Sequence, residues 1–397
     1  MYWIYLYSDT FIWLQEEKYL IYSASSYQYV MGECHGYLKT ILTGLYDYNN
    51  LYCVSVEEKT AIEDPSVNTF MKSICDKKCG NYSVESANFM DRPLILPPLL
   101  NVQSEISRHK DKEKFDYVSY INHIDLFFGM QYQHDQLLSS LGAFSVSKPT
   151  INIIIGYVIT RNEWDSVYEL AKALTMRSYY VILTIPYESY VNSPQSTKKI
   201  SSVIKSFYIT SDYWTEGMMD VLLTMPLKEQ INIKWRVTNK HSYNQIVKVL
   251  EGKEIRLPIR FDFEPSSDID FFSQMVSFKK EDVLSRKLSK EDIFRHMVVN
   301  SNFFGQLKLK EDGTITSPCE EKTLSNIDVN DCWSKAIKKE CERSNSEWFL
   351  TRDSRCENCR RCLLKYLCPS PSKLEILTGI ITPCKNTNVF LHGEELS

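Results

Sequence analysis

The residues best suited to chemistry are cysteines, and their distribution along the chain is uneven. Of the 12 cysteines, four lie within the first 80 residues, none lies between residues 80 and 318, and eight lie in the last 79. Two residues between successive thiols, as in Cys359-Arg-Arg-Cys362, allow both sulfur atoms to reach one metal ion or one edge of a cluster. We therefore predict one metal centre in the tail. Its predicted ligands are Cys359, Cys362, Cys368 and Cys384, and the alternative set is Cys356, Cys359, Cys362 and Cys368.

The identity of this centre depends on the compartment and on neighbouring charges. Four thiolates close either a tetrahedral zinc site or an iron–sulfur cluster, so a [4Fe–4S] cluster and a structural zinc ion are both open. The first ten residues are apolar but contain Asp9 and no basic residue, so we expect no signal peptide. We also expect no membrane span and a cytoplasmic location, where thiols stay reduced and bind metal. Basic residues that would help to keep the thiolates deprotonated are Arg355, Arg360, Arg361 and Lys365.

A second group of candidate residues lies on two predicted strands. Asp262 and Glu264 alternate with phenylalanines, and Lys234 and Arg236 flank Trp235, so the charged side chains of each strand share one face. Active sites of barrels form at the carboxyl ends of strands, but a polar strand end that Pro265 terminates is the simpler interpretation, and Lys234 and Arg236 could form ion pairs with the two carboxylates. The sequence contains no P-loop, Gly-x-Ser-x-Gly, His-Glu-x-x-His or EF-hand pattern.

The composition is that of a globular protein large enough for two or three domains. The chain has 397 residues, a net charge of −4, 43% hydrophobic residues and 24% charged residues, which excludes a disordered chain. Residues 1–80 carry ten acidic and six basic side chains, and this balance has the wrong sign for binding a phosphate backbone. We therefore expect no nucleic-acid partner.

Residues 1–85 are predicted to form a small α+β module that resembles a winged helix. Asp64-Pro65 is an N-cap followed by proline at the first helical position, and Gly80 is the predicted stop of that helix. An exposed edge strand of this module could accept a peptide by β-addition, and a packing role without a ligand is equally open. The predicted elements are strands at Phe11–Leu14, Tyr19–Tyr22 and Leu51–Val56, a helix at Gly36–Leu45 and the helix from Pro65.

The middle of the chain, residues 116–300, alternates strands with helices after a proline-rich and charged linker at residues 86–115. Apolar strands that alternate with helices predict a mostly parallel sheet buried on both faces. Six strands are too few for a closed eight-stranded barrel, so we expect a partial barrel or an open sheet. The predicted strands are Ile124–Phe128, Ile151–Ile159, Tyr179–Ile185, Phe207–Thr210, Ile231–Val237 and Pro258–Glu264, and helices are predicted from Asn162, at Asp220–Met225 and at His241–Glu251.

Residues 301–397 carry the features of a known family. A hairpin runs from Leu307 to Thr316, five residues separate Gly313 from Cys319, and Cys359-x2-Cys362-x5-Cys368 follows. This arrangement resembles the SPASM or twitch extension of radical SAM peptide maturases, and the segment from Cys359 to Ser372 resembles pseudo-radical-SAM proteins of double-glycine-leader peptide systems. The resemblance implies a partial (β/α)6 TIM-like barrel at 116–300, a SPASM/twitch-like domain at 301–397 that holds a [4Fe–4S] cluster, and a peptide-recognition module at 1–85.

The chain departs from this family where the family's catalytic chemistry occurs. Catalytic radical SAM barrels carry Cys-x3-Cys-x2-Cys after the first strand, whereas the corresponding loop here is Gly129-Met-Gln-Tyr-Gln-His-Asp135. The glycine-rich turn of the second strand is reduced to Gly156. His134 alone cannot replace three thiolates, so no cleavage of S-adenosylmethionine is expected. The resemblance and this departure together imply a pseudoenzyme.

The sequence therefore leads to two hypotheses about function. In the first, the protein is a non-catalytic partner in the maturation of a ribosomally synthesised peptide, and it binds the precursor peptide and a catalytic radical SAM maturase as a hetero-oligomer. In the second, it is a peptide-modifying enzyme in its own right that uses the tail cluster or the mouth of the barrel.

Overall fold

The structure is a computed structural model of the chain. It describes residues 1–84, 92–98, 117–129, 134–144, 146–211, 213–224, 230–251, 258–263, 271, 278–355 and 357–378.

The N-terminal module contains two antiparallel sheets and three helices. One sheet has the strand order β5-β1-β6 and the other is the meander β2-β3-β4. One core joins them, in which Ile4, Leu6 and Ile21 pack against the buried faces of the helices. The elements are β1 (Tyr2–Leu6), β2 (Thr10–Gln15), β3 (Lys18–Ser23), β4 (Tyr29–Glu33), α1 (Gly36–Tyr46), β5 (Cys53–Val56), α2 (Glu58–Glu63), α3 (Pro65–Asp76) and β6 (Gly80–Val84).

Helix α3 begins where the sequence predicts but ends earlier. The Asp64 carboxylate accepts hydrogen bonds from the backbone N–H groups of Ser66 and Val67, which satisfies two donors at the helix start. The helix ends at Asp76, and Gly80 begins β6 instead of ending the helix. A Cβ atom at Gly80 would lie 2.3 Å from the backbone oxygen of Tyr5, so close pairing of β6 with β1 requires glycine there.

The centre of the molecule is a nine-stranded sheet with the order β12-β11-β10-β9-β8-β7-β13-β14-β15. Seven of these strands, β7 to β13, run parallel, and the six strands predicted between residues 116 and 300 are all present. The strands are β7 (His123–Phe127), β8 (Thr150–Ile154), β9 (Tyr180–Pro186), β10 (Ser206–Ser211), β11 (Ile231–Val237), β12 (Ile259–Phe263), β13 (Gln306–Leu309), β14 (Thr314–Thr316) and β15 (Thr323–Asn326).

Helices between the parallel strands cover one face of the sheet, whereas the strand residues that point to the other face are half-exposed, so the prediction of a sheet buried on both faces is wrong. The longest of them begins at the capping box of Thr160 and Glu163 and buries Trp164, Val167 and Leu174 against the strands. In the described part of the chain the edge strands β12 and β15 do not pair with each other, so the sheet stays open there. The helices are α4 (His134–Ser140), α5 (Arg161–Met176), α6 (Tyr187–Asn192), α7 (Pro194–Ile200), α8 (Glu216–Thr224) and α9 (Lys240–Leu250).

The hairpin of β13 and β14 belongs to this central sheet. Its turn has Gly313 at a φ of +80°, as expected from the Asp-Gly dipeptide. Strand β13 pairs in parallel with β7, so residues on both sides of position 300 contribute to one sheet. The fold is therefore mixed α/β with a large, mostly parallel sheet.

The tail is packed between the central sheet and the N-terminal module. Phe11, Leu20 and Tyr22 of β2 and β3 share one buried cluster with helices α10 and α11 and with leucines of the tail. The tail leucines of this cluster are Leu363, Leu364 and Leu367. The remaining helices are α10 (Lys280–Leu284), α11 (Lys290–Val298), α12 (Cys332–Glu342), α13 (Arg352–Arg355), α14 (Glu357–Arg360) and α15 (Lys373–Thr378).

Candidate functional site

Three of the four predicted metal ligands lie within one compact turn of the tail. Cys359 is in α14, the backbone N–H of Cys362 donates to the Cys359 carbonyl at 3.0 Å, and Cys368 N–H donates to the Leu364 carbonyl at 2.8 Å. Cys362 and Cys368 are half-buried and pack against the apolar cluster of the tail. Cys384, and Cys356 of the alternative ligand set, lie outside the described residues.

A buried arginine that sequence reasoning missed lies beside these thiols. Arg352 is 4% exposed, its Nε donates to the Pro369 carbonyl at 2.7 Å, and its guanidinium pairs with both carboxylate oxygens of Glu375. Burial alone would lower the pKa of Arg352, but negative charge at Cys368, Glu375 and Cys359 outweighs burial and raises it. The same attraction, seen from the sulfur atoms, favours the thiolate form of Cys359 and Cys368.

Two of the basic residues predicted to act on the thiolates, Arg360 and Lys365, form hydrogen bonds with Asp353. Lys365 Nζ donates to the Asp353 carboxylate at 2.6 Å and to the Arg360 carbonyl at 2.9 Å. The Arg360 side chain donates to the backbone oxygen of Asp353 at 3.3 Å. These contacts brace α13 against the cysteine turn. The side chain of Arg355 lies outside the described part of the structure.

The donors fit a thiolate-bound metal in their chemistry. Three thiols occur within ten residues, two of them lie within the electrostatic reach of a buried guanidinium, and the turn is fixed by backbone hydrogen bonds. Among the described residues, no three His, Cys, Asp or Glu side chains converge as a metal-binding group. The three thiols of the turn therefore do not form a ligand group by themselves, and Cys356 and Cys384 of the two predicted ligand sets lie outside the described residues.

Cys319, at the end of the predicted hairpin motif, is held in a different way. It is 4% exposed, and burial followed by the charge of Glu347 raises its pKa far above that of a free thiol. The buried Glu347 carboxylate accepts from Ser317 Oγ and from the backbone N–H groups of Cys319 and Glu320, at 2.6 to 3.1 Å. This network fixes the turn at residues 317–320 around a carboxylate, and it keeps the Cys319 thiol protonated.

A second site of interest is the face of the central sheet that lies opposite the face covered by helix α5. Alternate residues of the strands face it, and they are mainly polar and half-exposed. On this face the carboxylate of Asp125 bonds to His123 Nε2 at 3.0 Å and to Asn152 Nδ2 at 2.8 Å, and Asn152 accepts from Thr184 Oγ1 at 2.8 Å. Burial would raise the pKa of Asp125, but its bonds to His123 and Asn152 and the charge of Lys234 lower it overall.

The predicted ion pairing between neighbouring strands is present. Lys234 Nζ lies 2.9 Å from an oxygen of the Asp262 carboxylate, and both side chains are partly exposed. Lys234 also acts on Asp125, although three strands separate β7 from β11 in the sheet, which shows that this face is concave. Glu264 lies outside the described residues.

The carboxyl ends of the first strands form a mouth that the hairpin turn partly closes. Phe127, Lys310, Glu311, Asp312 and Glu321 line a cavity of about 400 Å³ there. Gly129 begins the loop that carries a cysteine motif in radical SAM enzymes. It lies directly against Glu311, because a Cβ atom added at Gly129 would be 2.6 Å from the Cβ atom of Glu311. Residues 130–133 are outside the described part of the chain.

The loop after the second parallel strand carries a tyrosine, Tyr157, on which the charge of Glu311 from this cavity acts. Tyr157 donates from its hydroxyl to a carboxylate oxygen of Glu163 at 3.0 Å. Burial, together with the nearby charges of Glu163 and Glu311, raises the pKa of Tyr157 to about 12. His134 begins α4, and its ring packs on the ring of Phe128, so its contact is a packing contact next to the first parallel strand.

Comparison with known proteins adds little to this picture. No protein-family model matches the chain, and no curated protein matches it. Two solved structures are similar at 7% and 13% identity: a thiamine phosphate pyrophosphorylase from Pyrococcus furiosus and a dihydrodipicolinate synthase from Oceanobacillus iheyensis. Their TM-scores are 0.22 and 0.27, and the matches cover 37% and 44% of this chain and 77% and 60% of the others. None of the described helices combines the length and the apolar character that crossing a bilayer requires.

Proposed function

We propose that this protein is a non-catalytic partner in the maturation of a ribosomally synthesised peptide. It binds the precursor peptide through residues 1–85 and docks on a catalytic radical SAM maturase, with its partial (β/α)6 barrel as the scaffold and a SPASM/twitch-like tail after the barrel. The tail cysteines hold one [4Fe–4S] cluster, with structural zinc as the alternative. The whole assembly works in the cytoplasm.

The observation that carries the proposal is the character of the loop after β7. No cysteine occurs from residue 80 to residue 318, so the three thiolates that hold a catalytic cluster in the family are absent from this chain. Gly129 packs against Glu311, which places a carboxylate of the hairpin turn close to the start of that loop. A mouth organised in this way supports a scaffold role better than S-adenosylmethionine chemistry.

The packing of the N-terminal module against the tail supports a protein that binds a peptide and a maturase at the same time. Phe11 contacts Phe294 with ring centroids 5.5 Å apart, and Trp13 contacts Tyr366 at 6.0 Å. Tyr366 lies between Cys362 and Cys368, so the meander of the module is joined directly to the cysteine turn. A peptide bound to the module would therefore be presented next to the tail.

A co-purification experiment tests the partner role. The full-length protein is mixed with a tagged precursor peptide and a radical SAM maturase from the same system, and the complex is isolated under anaerobic conditions. We expect both partners to be retained, and a precursor with a scrambled leader to be lost. A monodisperse protein that retains neither partner would contradict the proposal.

Metal analysis of anaerobically purified protein tests the tail centre separately. About four irons and four sulfides per chain indicate one [4Fe–4S] cluster, and one zinc indicates a structural ion. The double variant Cys359→Ser/Cys362→Ser should lose the metal. The matched control Cys34→Ser/Cys53→Ser, which alters two buried thiols of the N-terminal module, should retain it. Retention of the metal by both variants would rule out the tail site.

The hydrogen-bonded carboxylate on the concave face supports the second candidate function, an enzyme in its own right. Asp125 is oriented by its bonds to His123 and Asn152 and is kept ionised by its lowered pKa, so it can accept a proton as a weak base. If the isolated, reconstituted protein converts a peptide, Asp125→Asn and Asp262→Asn should abolish turnover. Asp165→Asn, which removes an exposed partner of Lys199, should leave it unchanged. Absence of turnover with every precursor offered removes this candidate.

A further inference from the structure

A basic cleft lies between helix α11, the loop that precedes it and the start of the tail. It has a volume of about 440 Å³ and shares no residue with the cysteine turn or with the concave face of the sheet. Leu288 forms an apolar part of its wall. The polar residues that line it are Arg286, Lys287, Asp292, Arg295, His296 and Ser301.

The positive charge of the cleft is not compensated from within the described structure. Arg286, Lys287 and Arg295 form no ion pair with any described residue; the one side-chain bond of Arg286 goes to the Leu367 carbonyl at 3.4 Å. The only carboxylate in the lining, Asp292, accepts bonds from the Ser289 backbone N–H and hydroxyl as part of the cap of α11. A local excess of positive charge in a chain with a net charge of −4 is not a consequence of composition.

The charges in the cleft lie close enough to act on one another. His296 is 7% exposed, and its Nδ1 donates to the Tyr366 carbonyl at 2.9 Å, which leaves Nε2 for another partner. Burial lowers the pKa of His296, the Tyr366 carbonyl and Asp292 oppose this, and the charges of Arg286 and Arg295 add to the lowering. These effects together lower the pKa of His296, and an anion bound beside the ring would raise it.

Three separate parts of the chain hold the walls in place. The Tyr22 hydroxyl, fully buried, accepts from the Leu288 N–H at 2.9 Å and donates to the Leu288 carbonyl at 3.1 Å. On the opposite side, Ser301 N–H donates to Ser370 Oγ at 3.1 Å. These bonds fix the backbone on both sides of the cleft, whereas the side chains of Lys287 and Arg295 are exposed and form no hydrogen bond with a described residue.

We propose that this cleft binds the phosphate groups of a small phosphorylated ligand. A phosphate group carries about −1.5 to −2 charges and pairs with guanidinium groups through two parallel hydrogen bonds. A single carboxylate would leave most of the positive charge uncompensated. The volume lies within the range of roughly 300–1,000 Å³ that is usual for small-molecule sites. This inference is independent of the proposed role in peptide maturation.

Calorimetric titration of the full-length protein with inorganic diphosphate at low ionic strength tests the proposal. We expect saturable binding at one site per chain. Arg295→Gln, at an exposed position that leaves the fold intact, should weaken binding at least fivefold, and Arg286→Gln/Arg295→Gln at least twentyfold. The matched control Lys290→Gln removes a positive charge from the same helix outside the cleft, where Lys290 lies over the Phe294 ring, and should change the affinity less than twofold.

Two further probes define the ligand chemistry. ADP in place of diphosphate distinguishes a nucleotide from a free phosphate compound, and binding of either supports the proposal. Succinate, a dicarboxylate, should bind at least tenfold more weakly than diphosphate. Diphosphate should also raise the pKa of His296 as followed by its ring resonances. Absence of saturable diphosphate binding, equal binding of succinate, or equal weakening by Lys290→Gln would overturn the proposal.

Discussion

The two groups of cysteines in this protein show how surroundings decide what a thiol can do. In the N-terminal module, Cys34, Cys53 and Cys79 are at most 2% exposed, and burial raises the pKa of each, for Cys79 to about 12. In the tail, Cys359 and Cys368 are half-buried beside the Arg352 guanidinium. The first group behaves as small apolar side chains, whereas the second group is arranged to carry charge.

The comparison shows that cysteine spacing alone does not identify a ligand. Cys75 and Cys79 are as close in sequence as many ligand pairs, yet Cys79 is sealed in a core and Cys75 donates to Asn81. Cys53 also has a guanidinium nearby, that of Arg92, but burial outweighs its effect on the pKa, whereas the tail thiols are only half-buried beside Arg352. The predictions below test that distinction.

The largest effect is expected from Arg352→Gln. This change leaves the Glu375 carboxylate, 2% exposed, without its partner, and breaking a buried ion pair in this way costs about 3–5 kcal/mol. We expect amide hydrogen exchange in residues 352–378 to lose protection by that amount.

Two further variants show whether the buried charge is responsible. Arg352→Gln/Glu375→Gln, which removes both charges, should recover part of the loss. Lys199→Gln, which breaks the exposed pair with Asp165, should cost less than about 1 kcal/mol. If the single and the double tail variants are equally destabilised, the charge on Glu375 is not the cause.

The parts of the fold that could be predicted are those determined by local pattern. Most of the six parallel strands carry apolar residues at alternate positions, and the starts of α3 and α5 are marked by capping residues, so both are readable in a short window. Strand β1 could not be recognised in this way. Its place depends on pairing with β5 and β6, which lie about 50 and 80 residues further along the chain.

The candidate sites could also be predicted only where their residues are close together in sequence. The Cys359-x2-Cys362 turn is visible in the sequence, but Arg352 is not, because its partner Glu375 lies 23 residues away and no periodicity links them. The basic cleft is also hidden. Arg286, Lys287 and Arg295 resemble the solvated face of an ordinary helix until Tyr22 and the tail enclose them.

The second prediction concerns thiol reactivity in reduced, chelator-treated protein. A pKa of about 12 leaves roughly one Cys79 thiol in ten thousand ionised at pH 8, and only the thiolate reacts. We expect iodoacetamide to modify Cys359 and Cys368 at least a hundredfold faster than Cys79, as measured by peptide mass spectrometry over time. Equal rates at the two sites would remove the distinction between the groups.

The third prediction concerns the cost of polarity in the module core. Cys79→Ser shortens a buried side chain whose thiol reaches the Gln28 and Lys77 carbonyls at 3.7 and 3.6 Å, so the smaller hydroxyl would lie beyond ordinary hydrogen-bond distance of both. We expect a loss of about 1–2 kcal/mol, followed by hydrogen exchange in β6. Cys79→Ala should be the milder change, because it adds no polar group. A greater loss with alanine would mean that the thiol contributes mainly by filling volume.

The smallest effect is expected at Cys75, which is only partly buried at the end of the same module. Its thiol donates to Asn81 Oδ1 at 3.3 Å, and a serine hydroxyl can make the same contact. Cys75→Ser should therefore change stability by less than about 0.5 kcal/mol, measured beside Cys79→Ser under the same conditions. A loss at Cys75 as large as that at Cys79 would show that cysteine itself, rather than its burial, stabilises the module. The contrast with the tail would then need a different physical basis.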